Sequence, residues 1–188
     1  IVLGIFALTS QGTSGSTFYM VSHGLSTAAL FIVGGFLIAR RGSRRLADFG
    51  GVQKPAPILA GFMLVAGLSG LAMPGLATFV SEFLVLVGTF SRYQVAAALA
   101  TFGIVLAALY ILIMYQRTMT GPTTPETENT PDVRGREAII VAPLFALLIA
   151  LGVAPTVMLD PIDDATRQTL EQVGVTDPDP VFAQGGEE

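Results

Sequence analysis

The stretch at residues 55–90 reads PAPILAGFMLVAGLSGLAMPGLATFVSEFLVLVGTF, and it decides the class of fold. As one continuous helix it would measure about 54 Å, whereas the hydrocarbon layer of a membrane is about 30 Å thick. Pro74 removes a backbone donor near its middle, and Gly75 tolerates the dihedral angles of a break. We therefore predict a discontinuous transmembrane helix with halves at about 56–72 and 76–90. The break is expected to be buried, because freed backbone groups at membrane depth need protein or water around them.

Other apolar stretches are long enough to cross a membrane. The chain is 52% hydrophobic and only 13% charged, and the charges are absent from the predicted spans at about 18–39, 94–116 and 138–159. Residues 1–9 resemble the end of a further transmembrane helix, and the Ser-, Gly- and Thr-rich residues 10–17 predict a polar loop. The sequence thus predicts an all-α polytopic membrane helix bundle with one discontinuous transmembrane helix.

The basic residues predict an orientation. Between the two predicted loops, at 40–54 and 118–137, the chain crosses the membrane twice, in the broken helix and in the span at 94–116. Both loops should therefore lie on one side, which we predict to be cytoplasmic by the positive-inside rule. The acidic tail at 160–188, with a short surface helix at 163–173, is then extracytoplasmic. The arginine cluster at 40–45 either sets this topology or binds lipid head groups. The basic side holds eight of the ten Lys and Arg residues, namely Arg40, Arg41, Arg44, Arg45, Lys54, Arg117, Arg134 and Arg136.

Composition restricts the chemistry that this chain can carry. It has no cysteine and one histidine, so we expect no disulfide, no iron–sulfur ligation, no metal site and no residues that bind a cofactor. No phosphate loop, nucleophile with a base, or nucleic-acid patch is visible. Ile1 begins inside an apolar run without the basic region of a signal peptide, so we expect the chain to be the latter part of a longer protein.

Glu82 follows the break by about two turns and is one of two ionisable groups within the predicted spans. A desolvated carboxyl group can exist in either protonation state near neutral pH, which a proton relay requires. Thr78, one turn earlier, and the adjacent Ser81 are expected to support it with their hydroxyl groups. Two simpler interpretations stay open: a glutamate near the outer interface, or one that caps a broken helix end.

His23 is the other ionisable group, and Ser26 and Thr27 share its helical face. A polar stripe on an apolar span indicates a face turned to an internal water path, so we treat His23 as a second relay residue. A structural histidine that joins two helices by hydrogen bonds is an equally good interpretation of the residues alone.

Two segments carry a family likeness. SHGLSTAALFIVGG at 22–35 and GLAMPGLATFVSEF at 70–83, with RLADFGG at 45–51 between them, resemble the antiporter-like membrane subunits of NADH-quinone oxidoreductase, or complex I. The resemblance covers roughly residues 1–155. A glutamate in the broken helix is similar to the chain M type, whereas chains L and N typically carry lysine there. Ser81 departs mildly from the glycine that family members often have.

The resemblance implies a function that the residues alone do not. It implies that His23 and Glu82 belong to a proton path, and that the chain holds the end of the second of two inverted repeats, over 10–117, plus a final helix. It also implies a non-redox subunit of a translocase with no active site of its own. NADH, FMN, iron–sulfur clusters and quinone would be bound by other subunits of a bacterial plasma-membrane complex. The expected partners are neighbouring antiporter-like chains and lipids, and no nucleic acid.

Two alternatives remain at this stage. A subunit of a multi-subunit cation/proton antiporter shares the fold and would show sodium-dependent transport without NADH dehydrogenase subunits. A purely structural membrane scaffold would tolerate apolar replacement of both His23 and Glu82.

Overall fold

The computed structural model describes residues 1–178, and within that range the chain forms only helices and loops. Three of the helices, α2, α5 and α6, are long and apolar enough to cross a membrane, and α3 and α4 are shorter apolar helices. Residues 179–188 of the predicted acidic tail lie outside the described residues. The helices are α1 (Val2–Ala7), α2 (Ser10–Arg41), α3 (Pro57–Gly70), α4 (Ala77–Phe90), α5 (Gln94–Met119), α6 (Gly135–Val153) and α7 (Thr156–Val173), with a short 3-10 helix at Leu46–Asp48.

The predicted discontinuous helix is present as α3 and α4, of 14 residues each. Between them Ala72 adopts a left-handed conformation, with φ of 54°. The N–H of Leu76 then donates to the carbonyl of Met73 at 3.2 Å, and Gly75 has φ of 96°. Proline followed by a glycine with positive φ is the signature of a type II turn, so Pro74 and Gly75 form a turn and not merely a kink.

The turn is buried on one side only, which corrects the expectation of a fully buried break. Pro74 and Gly75 are exposed and Met73 is 43% exposed, whereas Leu76 is buried. The buried side faces α6, where a Cβ atom on Gly152 would lie 2.6 Å from the Cα of Leu76. Close approach of the α6 backbone therefore covers the turn from this side, and no other described element covers its outer side.

The prediction of a polar loop at residues 10–17 is wrong, because these residues form the first two turns of α2. The side chain of Thr9 caps this helix by accepting a hydrogen bond from the N–H of Gly12 at 3.1 Å. Ser14 and Gly15 are buried. Serine, threonine and glycine are common in turns, but in membrane helices the same small residues allow close helix packing, and packing decides the conformation here.

Helices α2 and α4 run antiparallel and pack along a contact that we call the α2–α4 seam. The hydroxyl of Thr9 donates to the carbonyl of Gly88 at 3.0 Å, which ties the start of α2 to the end of α4. A Cβ atom on Gly88 would collide with the backbone of Gly12. One on Gly15 would lie 2.7 Å from the Cβ of Leu84. The two backbones therefore touch at the end of the seam where α2 begins and α4 ends.

The final span also differs from its prediction at 138–159. Helix α6 ends at Val153, and α7 begins at Thr156. The reason is Pro155, which disfavours helical dihedrals in the preceding residue and offers no N–H to continue the helix. Ala154 accordingly has φ of −125° and ψ of 65°. Hydropathy alone does not register this boundary because the residues on both sides are apolar.

Helix α7 covers all of the surface helix predicted at 163–173 and begins earlier. It packs on the first half of α2, where the hydroxyl of Ser14 donates to that of Thr166 at 3.2 Å in a buried contact. The segment after α7 returns to the same end of the bundle, because the carboxylate of Asp177 accepts from the backbone N–H of Ser10 at 2.7 Å.

At the other end of the bundle, the two basic loops pack against each other. The N–H of Gly51 donates to the carbonyl of Thr120 at 2.9 Å, and the hydroxyl of Thr127 donates to the carbonyl of Gly50 at 2.8 Å. We call the segments 42–56 and 120–134 together the loop cap. The two loops predicted to share one side of the membrane are therefore in direct contact.

Two charged residues tie the loop cap to the helices. The carboxylate of Asp132 accepts from the backbone N–H groups of Ile58 and Leu59 at 3.0 and 2.9 Å, and so caps the N-terminus of α3 from a distant segment. The guanidinium of Arg40 pairs with the carboxylate of Glu137 at 2.6 Å and also donates to the carbonyl of Asp132. The ends of α2, α3 and α6 are thus joined at one place.

The seam makes a specific prediction about packing. Replacing Gly88 by alanine should destabilise the full-length subunit by about 1–3 kcal/mol, because the added methyl group has to displace the backbone of α2. Thermal unfolding of the detergent-solubilised protein measures the effect.

Gly103→Ala is the matched control, since nothing lies within 4 Å of the Cβ position there and alanine favours helix by about 1 kcal/mol. Equal melting temperatures for the Gly88 and Gly103 variants would show that the close approach does not exist.

Candidate functional site

The candidate site is built on a hydrogen bond between the middles of α2 and α4. The hydroxyl oxygens of Ser22 and Ser81 are 2.8 Å apart, and both serines are fully buried. Ser81 also lies within hydrogen-bond distance of the carbonyl of Thr78 in the preceding turn, at 3.0 Å. This pair fixes which residues of the two helices stand at the same height in the membrane.

His23 and Glu82 directly follow the two paired serines. Successive residues turn by about 100° around a helix axis, and in an antiparallel pair the residues that follow two facing residues turn to the same side. His23 and Glu82 therefore stand on one side of the seam, separated by only about 3 Å along the helix axes. We call this side the acid–base face. The two ionisable residues that the sequence singled out thus stand on the same side of the seam at similar heights.

The polar stripe around His23 divides between two faces. Ser22 and Ser26 are buried against the rest of the bundle, whereas His23 is exposed on the acid–base face. The hydroxyl of Thr27 lies 3.4 Å from the Nε2 atom of His23. The ring of Tyr19 meets the imidazole edge-on, with centroids 5.8 Å apart and planes at 78°. Thr27 is therefore in contact with His23 as expected, and Ser26 is not.

Glu82 is half-buried on the acid–base face. Within residues 1–178 its carboxyl group forms no hydrogen bond and no ion pair. The phenol of Tyr19, on α2, lies within electrostatic range of the carboxyl group of Glu82. A carboxyl group at membrane depth without a protein partner is one that water or a neighbouring chain must solvate.

Thr78 has a different role from the one its spacing predicts. Its hydroxyl donates to the carbonyl of Ser69 at 2.8 Å, in a buried contact that crosses the break. Ser69 lies in the last turn of α3, where carbonyl groups lack partners within the helix. Thr78 therefore adds a second donor to a carbonyl that also accepts from the N–H of Ala72 at 3.2 Å, and it forms no hydrogen bond with Glu82.

Tyr19 was not among the residues predicted from the sequence. Tyr19 and Tyr110 lie well inside spans, and the phenol of Tyr19 lies within electrostatic range of the phenol of Tyr110. The available signal was a tyrosine one turn before His23, since a phenol hydroxyl usually finds a partner when it is buried.

The ionisable groups of the candidate site are one imidazole and one carboxyl group. No group of three or more His, Cys, Asp or Glu side chains in the described part of the chain is placed to hold a metal ion. The acid–base face carries an imidazole and a carboxyl group at similar heights on one side of the seam, in a span that a turn interrupts.

A polytopic membrane bundle with a broken helix and paired ionisable groups is the architecture of antiporter-like transport subunits. The family described as NADH:quinone oxidoreductase/Mrp antiporter, transmembrane, matches residues 1–109, and this chain belongs to that family.

Comparison with individual proteins agrees with this assignment. NADH-quinone oxidoreductase subunit M from Mycobacterium tuberculosis is 57% identical over 183 residues, which cover 97% of this chain and 33% of the relative. Respiratory complex I from Thermus thermophilus, solved with bound NADH, contains a chain with a TM-score of 0.80 and 30% identity, over 89% of this chain and 36% of that one. The Mrp complex from Dietzia sp. DQ12-45-1b shares the fold, with a TM-score of 0.73 at 23% identity over 87% of this chain and 39% of that one. The chain spans about a third of the length of the curated relatives it matches.

The hydrogen bond from Thr78 to the carbonyl of Ser69, which bridges the break, can be tested by a pair of substitutions. Thr78→Val keeps the shape of the side chain but removes one of the two donors to the carbonyl of Ser69, which should cost about 0.5–1.5 kcal/mol. Thr78→Ser keeps the hydroxyl and should unfold close to the wild-type temperature. If the valine variant were as stable as the serine variant, the bridge would contribute nothing.

Proposed function

We propose that this chain is part of a proton-translocating membrane subunit of an NADH-quinone oxidoreductase, and that protons pass through His23 and Glu82. The observation that carries the proposal is their position on the acid–base face. Both follow the buried Ser22–Ser81 pair, and both stand on one side of the seam. No other Asp, Glu, Lys, Arg or His lies in the interior of the membrane helices.

The chemistry required of these groups is reversible proton binding. The imidazole of His23 accepts a proton on one ring nitrogen and releases it, and the carboxyl group of Glu82 does the same on an oxygen atom. Water on the acid–base face carries the proton between them. A change of charge elsewhere in the complex then drives release from Glu82. In this proposal, quinone reduction in other subunits supplies the energy.

The turn between α3 and α4 gives this site its setting. It allows polar backbone at membrane depth, and Pro74 and Gly75 are exposed on its outer side. Because the bridge from Thr78 occupies the inner side, the outer side is the one available to a water path.

The similarity to NADH-quinone oxidoreductase subunit M favours this complex over a cation/proton antiporter. Identity of 57% extends over nearly the whole chain, whereas the likeness to the Mrp complex is one of fold. We accordingly propose neighbouring antiporter-like subunits and membrane lipids as partners. We also propose that the loop cap is cytoplasmic and that α7 lies on the extracytoplasmic surface, where its strongly amphipathic character suits an interface.

Replacing Glu82 by glutamine should lower proton pumping by a factor of roughly ten or more, because the amide cannot take up and release the proton. The assay is the rate of acidification in sealed vesicles, divided by the amount of assembled complex. Glu82→Asp retains a carboxyl group and should keep part of the activity.

Glu171→Gln is the matched control, since Glu171 is exposed on α7 and away from the acid–base face. Normal pumping by the Glu82→Gln variant would end the proposal. Loss of pumping in the Glu171 variant as well would show that the assay reports general damage.

The proposed orientation can be measured with single cysteines, because this stretch contains none. Arg44→Cys in the loop cap should react with a membrane-impermeant maleimide only from the cytoplasmic side. Gln172→Cys on α7 should react only from the other side; both residues are exposed. The reverse labelling pattern would refute the orientation and leave the fold unaffected.

A further inference from the structure

The acid–base face contains a third polar group, the hydroxyl of Tyr19. Tyr19 precedes His23 by one helical turn on α2, and its ring packs edge-on against the imidazole at 5.8 Å between centroids. The residue is half-buried, so the phenol is neither free in solvent nor enclosed by protein.

Helix geometry places Tyr19 level with Glu82. Two contacts bracket Tyr19 along the seam, because Gly15 lies against Leu84 and Val85 on one side of it and Ser22 pairs with Ser81 on the other. Tyr19 lies one turn before Ser22 and therefore opposite the turn of α4 that begins at Glu82. Around α2 it projects about 60° from Ser22, in the same direction as His23.

The electrostatics agree with this placement. The phenol of Tyr19 interacts with the carboxyl group of Glu82 and with the phenol of Tyr110, which reaches the same region from α5. Tyr19 thus contacts the imidazole through its ring and stands level with Glu82 across the seam.

Neither the hydroxyl of Tyr19 nor the carboxyl group of Glu82 has a hydrogen-bond partner among residues 1–178. Polar groups at membrane depth that lack a protein partner need water or a neighbouring chain to solvate them, and water is the medium that the proposed proton path requires. A phenol both donates and accepts, so it can join two water molecules in line, which neither phenylalanine nor an aliphatic residue can do.

We propose that Tyr19 is a positioning residue of the proton path, and that its hydroxyl orders the water between His23 and Glu82. This inference rests on the proposed function. In each transfer the proton that leaves the imidazole arrives at the carboxylate. The phenol donates one hydrogen bond and accepts another, and is itself unchanged.

The test is Tyr19→Phe in the full-length subunit within the assembled complex. The ring contact with His23 is retained, and only the hydroxyl is lost. We expect the pumping rate per assembled complex to fall roughly fivefold to tenfold, the effect of one hydrogen bond lost from the transition state. The solvent deuterium isotope effect on pumping should rise, because proton transfer becomes slower than the other steps.

Tyr115→Phe is the matched control, a half-buried tyrosine of α5 that packs against the hydrophobic core. Tyr19→Gln returns a donor and an acceptor near the same place and should recover part of the lost rate. A Tyr19→Phe variant that pumps like the Tyr115 variant, with an unchanged isotope effect, overturns the inference.

The Glu82→Gln variant separates this failure from a failure of the proposed function. If Glu82→Gln abolishes pumping and Tyr19→Phe does not slow it, only the role of Tyr19 is wrong. If Glu82→Gln pumps normally, the proton path itself is wrong.

Discussion

The hydroxyl of Thr78 donates to the carbonyl of Ser69, and this contact joins the two half-helices across the turn. The constraint behind it is the absence of water in a hydrocarbon layer, where each unsatisfied backbone group costs several kcal/mol. A span can be interrupted only if the freed groups find partners. Here a side chain from one half donates to a carbonyl of the other half, and the type II turn closes its own hydrogen bond.

The same constraint explains why α2 and α4 pack so closely. Apolar side chains gain little by leaving lipid, so helices in membranes associate through small residues and hydrogen bonds. Gly12, Gly15 and Gly88 let the backbones touch, and Ser22 and Ser81 add a buried hydrogen bond. The seam holds His23 and Glu82 at fixed heights, so the geometry of the candidate site follows from how two helices pack, and not from contacts between the site residues themselves.

Much of this could be predicted from the sequence. The broken helix follows from length and from Pro74-Gly75, and the candidate residues follow from the cost of charge in lipid. What failed were boundaries and pairings. Residues 10–17 were indistinguishable from a loop because small polar residues serve both turns and helix seams. The role of Thr78 depends on a partner nine residues back across a turn, and the place of Tyr19 depends on the register of a second helix. Neither relation can be predicted from the spacing of residues within one helix.

The glycine contacts of the seam also have a mechanical consequence. Two helices whose backbones touch cannot rotate about their own axes without collision, so α2 and α4 must move as one rigid unit. The compliant part of the broken helix is then the turn, with a strained left-handed alanine at Ala72. A disturbance that reaches α3 through Asp132 and the loop cap would be absorbed at this joint. His23 on α2 and Glu82 on α4 then keep their spacing while the turn between α3 and α4 changes its conformation.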